Sequence, residues 1–227
     1  VDRGALSGRS ARRQSKNFVA LYASTAAGTE ATEYLTRLPT DEPPPPAPAD
    51  VIAQFGRDFK LQSPGSGWRY MCNVTDAIGT AAKYQDLVWN DGQKSYAAHT
   101  QAYPVNEPPG WVRLSADTSH PGRGAGQGVG FDRYAIAAYT LDAAKSGKMA
   151  ITGSLQRRAA DGTIELRIYV NDTLKENEKT DGSSNPLDFA LLLGTLNGGD
   201  TVYVAIGPDG QDAMDSCAVD FTIYTVR

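Results

Sequence analysis

Cysteine and histidine are nearly absent from this chain. In 227 residues there are two of each: Cys72 and Cys217, His99 and His120. Two cysteines are too few for a disulfide scaffold and offer no zinc-knuckle spacing. Two histidines leave little for general acid–base work, and His120, followed by Pro121, reads as a turn. No Gly-x-Ser-x-Gly elbow and no His-Glu-x-x-His occurs. The 26 acidic residues are too many for any pair to stand out as glycosidase carboxylates. The expectation is a protein that is not an enzyme.

An excess of positive charge is lacking too. With 22 Lys and Arg against 26 Asp and Glu, the net charge is −4, which leaves no electrostatic footprint for nucleic acid. No apolar run approaches the ~20 residues of a membrane helix, so no membrane span is expected. The chain opens Val1-Asp2-Arg3, without a signal peptide or an initiating Met. It reads as a processed product or excised fragment, and the missing signal does not argue for the cytoplasm.

What the chain has is period-two alternation, which lets a strand bury one face and wet the other. Ile164, Leu166, Ile168 and Val170 alternate with Glu165 and Arg167. Val202, Val204 and Ile206 follow the turn Asn197-Gly198-Gly199-Asp200, and Val219, Phe221 and Ile223 alternate with Asp220, Thr222 and Tyr224. Strands are expected near 67–75, 84–90, 94–100, 111–115, 133–141, 147–155, 163–171, 187–194, 200–207 and 217–226. With no helical stretch between them, they imply an all-β antiparallel sandwich of jelly-roll type over residues 51–227. The glycine-rich stretch from His120 to Gly130 fits neither a dinucleotide fingerprint nor a P-loop, and a strand follows it.

Residues 1–50 differ from the rest. A helix is expected around Phe18, Leu21 and Tyr22, and a second over Ala31, Tyr34, Leu35 and Leu38, which fall at i, i+3, i+4 and i+7. Pro39 stops it, and Pro43 to Pro46 form an extended spacer. This helical, proline-linked arm is either a domain-joining tail or a docking arm for another subunit.

Cys72 sits late in an early strand and Cys217 opens the last one. Where first and last strands are neighbours the two thiols form a disulfide; otherwise they are buried free thiols. Asp209, Asp212 and Asp215, spaced by three, are the best oxygen cluster for structural calcium, against the plain alternative of Asp side chains capping a turn. Asn73-Val74-Thr75 and Asn171-Asp172-Thr173 are formal glycosylation sequons, meaningful in a eukaryotic source alone.

Several segments recur in order: Asp58-Phe59, Gly65-Ser66-Gly67-Trp68-Arg69-Tyr70, Trp89, His120-Pro121-Gly122, Ser146 to Gly153, Asp161-Gly162 to Asn171, Gly199 to Gly210, and Asp215. Together, from about residue 55 to 224, they resemble a family of bacterial extracellular jelly-roll modules, carbohydrate-binding-like, found in secreted polysaccharide-active and cell-surface proteins. The stretch Ala97–Pro109 and the arm depart from that pattern. The resemblance implies the fold firmly and a glycan ligand more loosely.

A pyranose stacks its C–H face on a flat aromatic ring while polar side chains bond its hydroxyls. Trp68 and Trp89 lie inside strands and are expected in the core, with Tyr84 and Tyr96 as further aromatic candidates. Trp111 and Tyr103 flank a proline-stiffened loop and are the better ligand candidates, with His99, Asn106 and Glu107 as polar contacts. The function expected is a non-catalytic, secreted or cell-surface glycan-binding or adhesion module. The alternative is a structural subunit of an extracellular or virion-like assembly, a homo-oligomer or larger, held through residues 1–50.

Overall fold

The computed structural model of the chain describes residues 18–24, 31–37, 51–99, 110–158, 162–180, 185–211 and 215–226. The chain divides between Glu42 and Pro43 into two compact units.

In the first unit β1 (Phe18–Ser24) and β2 (Ala31–Arg37) form an antiparallel hairpin, in register from Phe18 opposite Arg37 to Ser24 opposite Ala31. The two expected helices are therefore corrected to strands. Val19, Thr32, Tyr34 and Thr36 are β-branched or aromatic and lose rotamer freedom in a helix. Helices this short are also marginal on their own.

The second unit is a sandwich of two antiparallel sheets. One runs β13 (Thr173–Lys179), β12 (Glu165–Val170), β15 (Thr201–Gly207), β10 (Ala135–Thr140), β4 (Trp68–Asn73), β5 (Tyr84–Asp86). The other runs β14 (Leu187–Leu196), β11 (Gly147–Arg157), β16 (Cys217–Thr225), β9 (Thr118–His120), β8 (Arg113–Leu114), β7 (Ser95–Ala97), β6 (Val88–Asn90), with β3 (Val51–Gln54) also on β16. A single turn of helix, α1 (Phe55–Asp58), follows β3; the Gln54 N–H donates to the Asp58 carboxylate at 2.8 Å.

Alternation puts Trp68, Tyr70 and Cys72 from β4 and Ala135, Ala137 and Tyr139 from β10 into the same core as Met149, Ile151 and Leu155 from β11 and Val219, Phe221 and Ile223 from β16. Each large apolar side chain buried there contributes about 1.5–3 kcal/mol. Phe55 lies flat on Phe221 at 5.3 Å, and Tyr70 meets Tyr96 at 4.6 Å. Trp68 is buried and Trp89 sets its edge to Tyr96 at 5.4 Å, as core residues do.

The outer face of the first sheet is covered by the β4–β5 connection. Ile78 and Ala81 pack on Met71, Tyr84, Ile136 and Ala205, the Gly79 N–H donates to the Tyr84 hydroxyl, and the Ala81 N–H reaches Asp172 Oδ1, both at 2.8 Å.

Cys72 and Cys217 are free and buried, which corrects the disulfide expectation. Its premise fails in the topology: β4 pairs with β10 and β5, whereas β16 pairs with β11, β9 and β3, in the other sheet. Burial pushes both thiols up to about 12.

Candidate functional site

The registers send the long connections toward one end of the sandwich, with the exception of 55–67, which enters β4 at Trp68 beside Thr140 on the opposite side. Connections 91–94, 115–117, 141–146, 171–172 and 197–200 turn at one end and are two to six residues long. Connections 74–83, 98–112, 121–134, 158–164, 180–186 and 208–216 emerge at the other and run from seven to fifteen. Loops that long carry binding sites more often than the turns opposite them.

Buried polar groups concentrate at the same end. Asn73, Ser119, His120, Arg133, Arg157, Glu165, Thr180 and Asp215 all lie there, and Asn90 donates to the carbonyl of His99 on one of those connections. Glu165, 3% exposed, accepts from the Tyr134 hydroxyl and, at 3.0 Å, from Arg167 Nη2. Burial first, then the bond to Glu165, raises the Tyr134 pKa. The Tyr134 ring lies against Gly207, where any Cβ would meet it at 2.2 Å. The glycine-rich stretch has the same steric cause. A Cβ on Gly124 would sit 2.1 Å from the Gly210 carbonyl carbon, and the Gly126 N–H donates to the Gly210 carbonyl at 2.9 Å. Those glycines let two loops touch.

The expected ligand residues converge here as far as the described residues reach. Trp111 is half-buried with its ring tilted 30° over His120 at 5.7 Å. His99 donates from Nε2 to the Gly110 carbonyl at 2.9 Å, the residue before Trp111; since a carbonyl can only accept, that nitrogen carries the proton. The His99 carbonyl in turn accepts from Asn90 Nδ2 at 3.0 Å. Tyr103, Asn106 and Glu107 lie outside the described residues.

The expected calcium ligands are less coherent. Asp209 accepts from Thr163 Oγ1 at 2.6 Å and pairs with Lys179 Nζ. Burial would raise its pKa, but those two partners outweigh burial and hold it below the usual carboxylate range. Asp215 is fully buried, and Asp212 lies outside the described residues. Among the described residues no group of three or more His, Cys, Asp or Glu could hold a metal ion. Of the sequons, Asn73 is buried and gives its Nδ2 to the Asp76 and Asp132 carbonyls, each at 2.8 Å.

Sequence reading missed two neighbours of Trp111. Arg113 is the cross-strand partner of His120, and His120 is a buried platform for Trp111 as well as a turn residue. The signal was present in part: Val112 and Leu114 are apolar and buried, which leaves Trp111, in the turn before β8, and Arg113, in β8, half-buried.

No family model and no curated protein matches the chain. Similar solved structures include a family 35 carbohydrate binding module from Clostridium thermocellum, 15% identical over 41% of this chain and 72% of that one, TM-score 0.29. TmCBM61 in complex with β-1,4-galactotriose is 10% identical over 70% of this chain and 89% of that one, TM-score 0.33. The Agl-KA catalytic domain is 16% identical over 42% of this chain, with TM-score 0.28, and the match spans only 22% of its length. At such scores the likeness carries neither ligand nor activity to this chain.

Proposed function

We propose that the chain is a non-catalytic glycan-binding module of an extracellular or cell-surface protein, with its ligand at the long-loop end. The observation that carries this is the half-buried Trp111 ring, propped on His120 and hinged beside the His99–Gly110 bond. A ring held in this way is preorganised to stack on a sugar, and an ordered side chain loses little entropy on binding. Tyr103, Asn106 and Glu107, on the connection that leads into Trp111, supply hydroxyl contacts. The test is affinity electrophoresis against a panel of polysaccharides. Retention that Trp111→Ala abolishes, with the melting temperature kept, supports the reading. A large drop in melting temperature instead assigns Trp111 to the core, and the site must then be sought elsewhere.

A second reading, assembly through the arm, is favoured by the separate first unit. A two-stranded hairpin by itself is marginal in water, and on this reading a second copy supplies the surface that β1 and β2 pack on. If that surface is another copy, deleting residues 1–50 leaves a folded sandwich that no longer self-associates in sedimentation velocity. Unchanged association refutes it.

A further inference from the structure

The arginines of the sandwich differ in what neutralises them. Arg57 pairs with Asp58, Arg69 with Asp86, Arg158 with Asp117 and Arg167 with Glu165. Among the described residues, no carboxylate is in ion-pair contact with Arg113, Arg123 or Arg133. All three fall between Trp111 and Tyr134.

Arg133 is the most demanding of them. Its side chain is 7% exposed, Nη1 donates to the Phe131 carbonyl at 2.7 Å, and the guanidinium lies 3.6 Å over the Phe131 ring. Its Nε is buried and has no hydrogen-bond partner. The adjacent acid, Asp132, instead accepts the Ala125 N–H at 2.7 Å. Burial pulls the Arg133 pKa down, with Cys72 and Asp132 acting weakly the other way. A buried charge without a contacting counter-charge is costly, and replacing it by an apolar side chain commonly costs nothing. Aromatic stacking and one carbonyl bond offset part of that cost and leave the charge uncompensated.

The half-buried Arg113 side chain makes no hydrogen bond or ion pair among the described residues; burial lowers its pKa as well. It stands opposite His120 across the β8–β9 ladder. The Gly122 N–H donates to the Arg133 carbonyl at 2.9 Å, so the backbone of Arg133 runs beside the chain two residues on from His120. Arg123, half-buried, follows Gly122. Three guanidinium groups without counter-charges therefore sit on the segments that carry Trp111 and His120, in a chain whose net charge is −4. An overall acidic protein does not draw anions from a distance, so selection for one must be local.

We infer that the sugar bound at the long-loop end is acidic, a glycan bearing carboxylate or sulfate groups, with Arg113, Arg123 and Arg133 as its counter-charges. This extends the glycan reading above and rests on it. The planar fork of a guanidinium accepts either oxyanion through paired N–H bonds, which an ammonium cannot reproduce. Trp111 would then carry the sugar ring and the arginines its charge.

The test runs the full chain by affinity electrophoresis in gels of polygalacturonate, dextran sulfate, neutral dextran and neutral galactan, at low and high NaCl. Retardation is expected in an acidic gel, weakening as salt rises; the polygalacturonate and dextran sulfate arms decide between carboxylate and sulfate. Arg113→Gln and Arg123→Gln should each weaken retention about tenfold, as loss of one charge-assisted bond does. Arg133→Met should lose retention yet melt no lower than the wild type, because it removes a buried charge. Arg133→Lys, which keeps the charge and loses the fork, should retain only part of the affinity. Equal retention in neutral gels, or arginine variants that bind like wild type, overturns the acidic ligand and leaves the glycan reading standing if Trp111→Ala still fails to bind. Retention in no gel overturns both. A steep fall in the melting temperature of Arg133→Met makes that residue structural and removes it from the site.

Discussion

The two ends of the sandwich solve opposite problems with the same strands. At the short-turn end, loops are held by solvent-exposed bonds. Asp200 accepts the Asn197 N–H at 2.8 Å and Asn171 Nδ2 at 3.0 Å, tying two turns together through exposed bonds. At the long-loop end, the bonded polar groups are buried or half-buried. Tyr134 and Arg167 serve Glu165, Asn73 holds the Asp132 carbonyl, and Gly124 presses on Gly210. One end only has to reverse the chain. The other holds polar groups in a low-dielectric setting, where each satisfied group stiffens its neighbours and each unsatisfied one is costly. That difference is the reason for assigning the proposed ligand to the long-loop end.

The comparison breaks first if Glu165 is expendable. Glu165→Ala leaves the Tyr134 hydroxyl and the half-buried Arg167 without their acceptor. Loss of one partner of a buried pair costs about 3 kcal/mol or more, read as a shift of the urea midpoint. The partial exposure of Arg167, at 27%, keeps the expectation at the low end of that range. A change below about 1 kcal/mol would mean that the long-loop end is no more tightly held than a surface turn.

The core cysteines come next. With Cys72 and Cys217 free, native protein should give no reaction with a thiol reagent at neutral pH, since burial holds both thiols protonated up to about 12. The denatured chain should titrate as two thiols, and a reductant should leave the melting temperature unchanged. Cys72→Ser places a hydroxyl in the apolar core and should cost about 1–3 kcal/mol. A denatured chain with no titratable thiol would restore the disulfide and contradict the strand order.

Much of the sandwich was legible in the sequence because alternation reports burial directly. The runs 164–170 and 219–223 largely alternate apolar and polar residues, and 202–206 sets Val202, Val204 and Ile206 at every second position. They fall on the strands Glu165–Val170, Cys217–Thr225 and Thr201–Gly207. β13, Thr-Leu-Lys-Glu-Asn-Glu-Lys, escaped notice because both its faces are wet; with no buried face it shows no alternation, and its charges suit an exposed edge. The stretch 84–90 read as one strand, but Leu87 carries the chain from one sheet to the other, and a local pattern cannot show a change of sheet. For the site, Trp111 and His99 were visible as residue types beside a stiff loop. Arg113 and Arg133 were not, because an arginine without a partner looks in sequence like any other arginine.

A smaller effect sharpens the other half of the comparison. Asp200→Ala removes two exposed hydrogen bonds at the short-turn end. Each contributes about 0.5–1 kcal/mol net, so the expected loss is about 1 kcal/mol, with glycan retention unchanged. If Asp200→Ala weakened retention as Trp111→Ala is expected to, the two ends would be coupled and the site would not be confined to the long loops.

The smallest expected effect concerns calcium at Asp209, Asp212 and Asp215. An ion there would have to compete with the Lys179 ammonium and the Thr163 hydroxyl that Asp209 already holds. The same pairing fixes a pH signature. Because the folded pKa of Asp209 is depressed below the usual 3.8, the stabilisation is complete above the unfolded value and is lost as pH falls through the folded one. Asp209→Asn should therefore lower the stability at pH 7 and flatten the acid limb below about pH 4, where the wild type loses the same contribution. A native-state ligand stabilises by mass action, so bound calcium would show as a drop in melting temperature on chelation. With Asp209 committed to Lys179, chelation should move the midpoint by less than about 1 °C. A larger drop, absent in Asp209→Asn, would make the 208–216 connection a metal site and show that Lys179 yields to the ion.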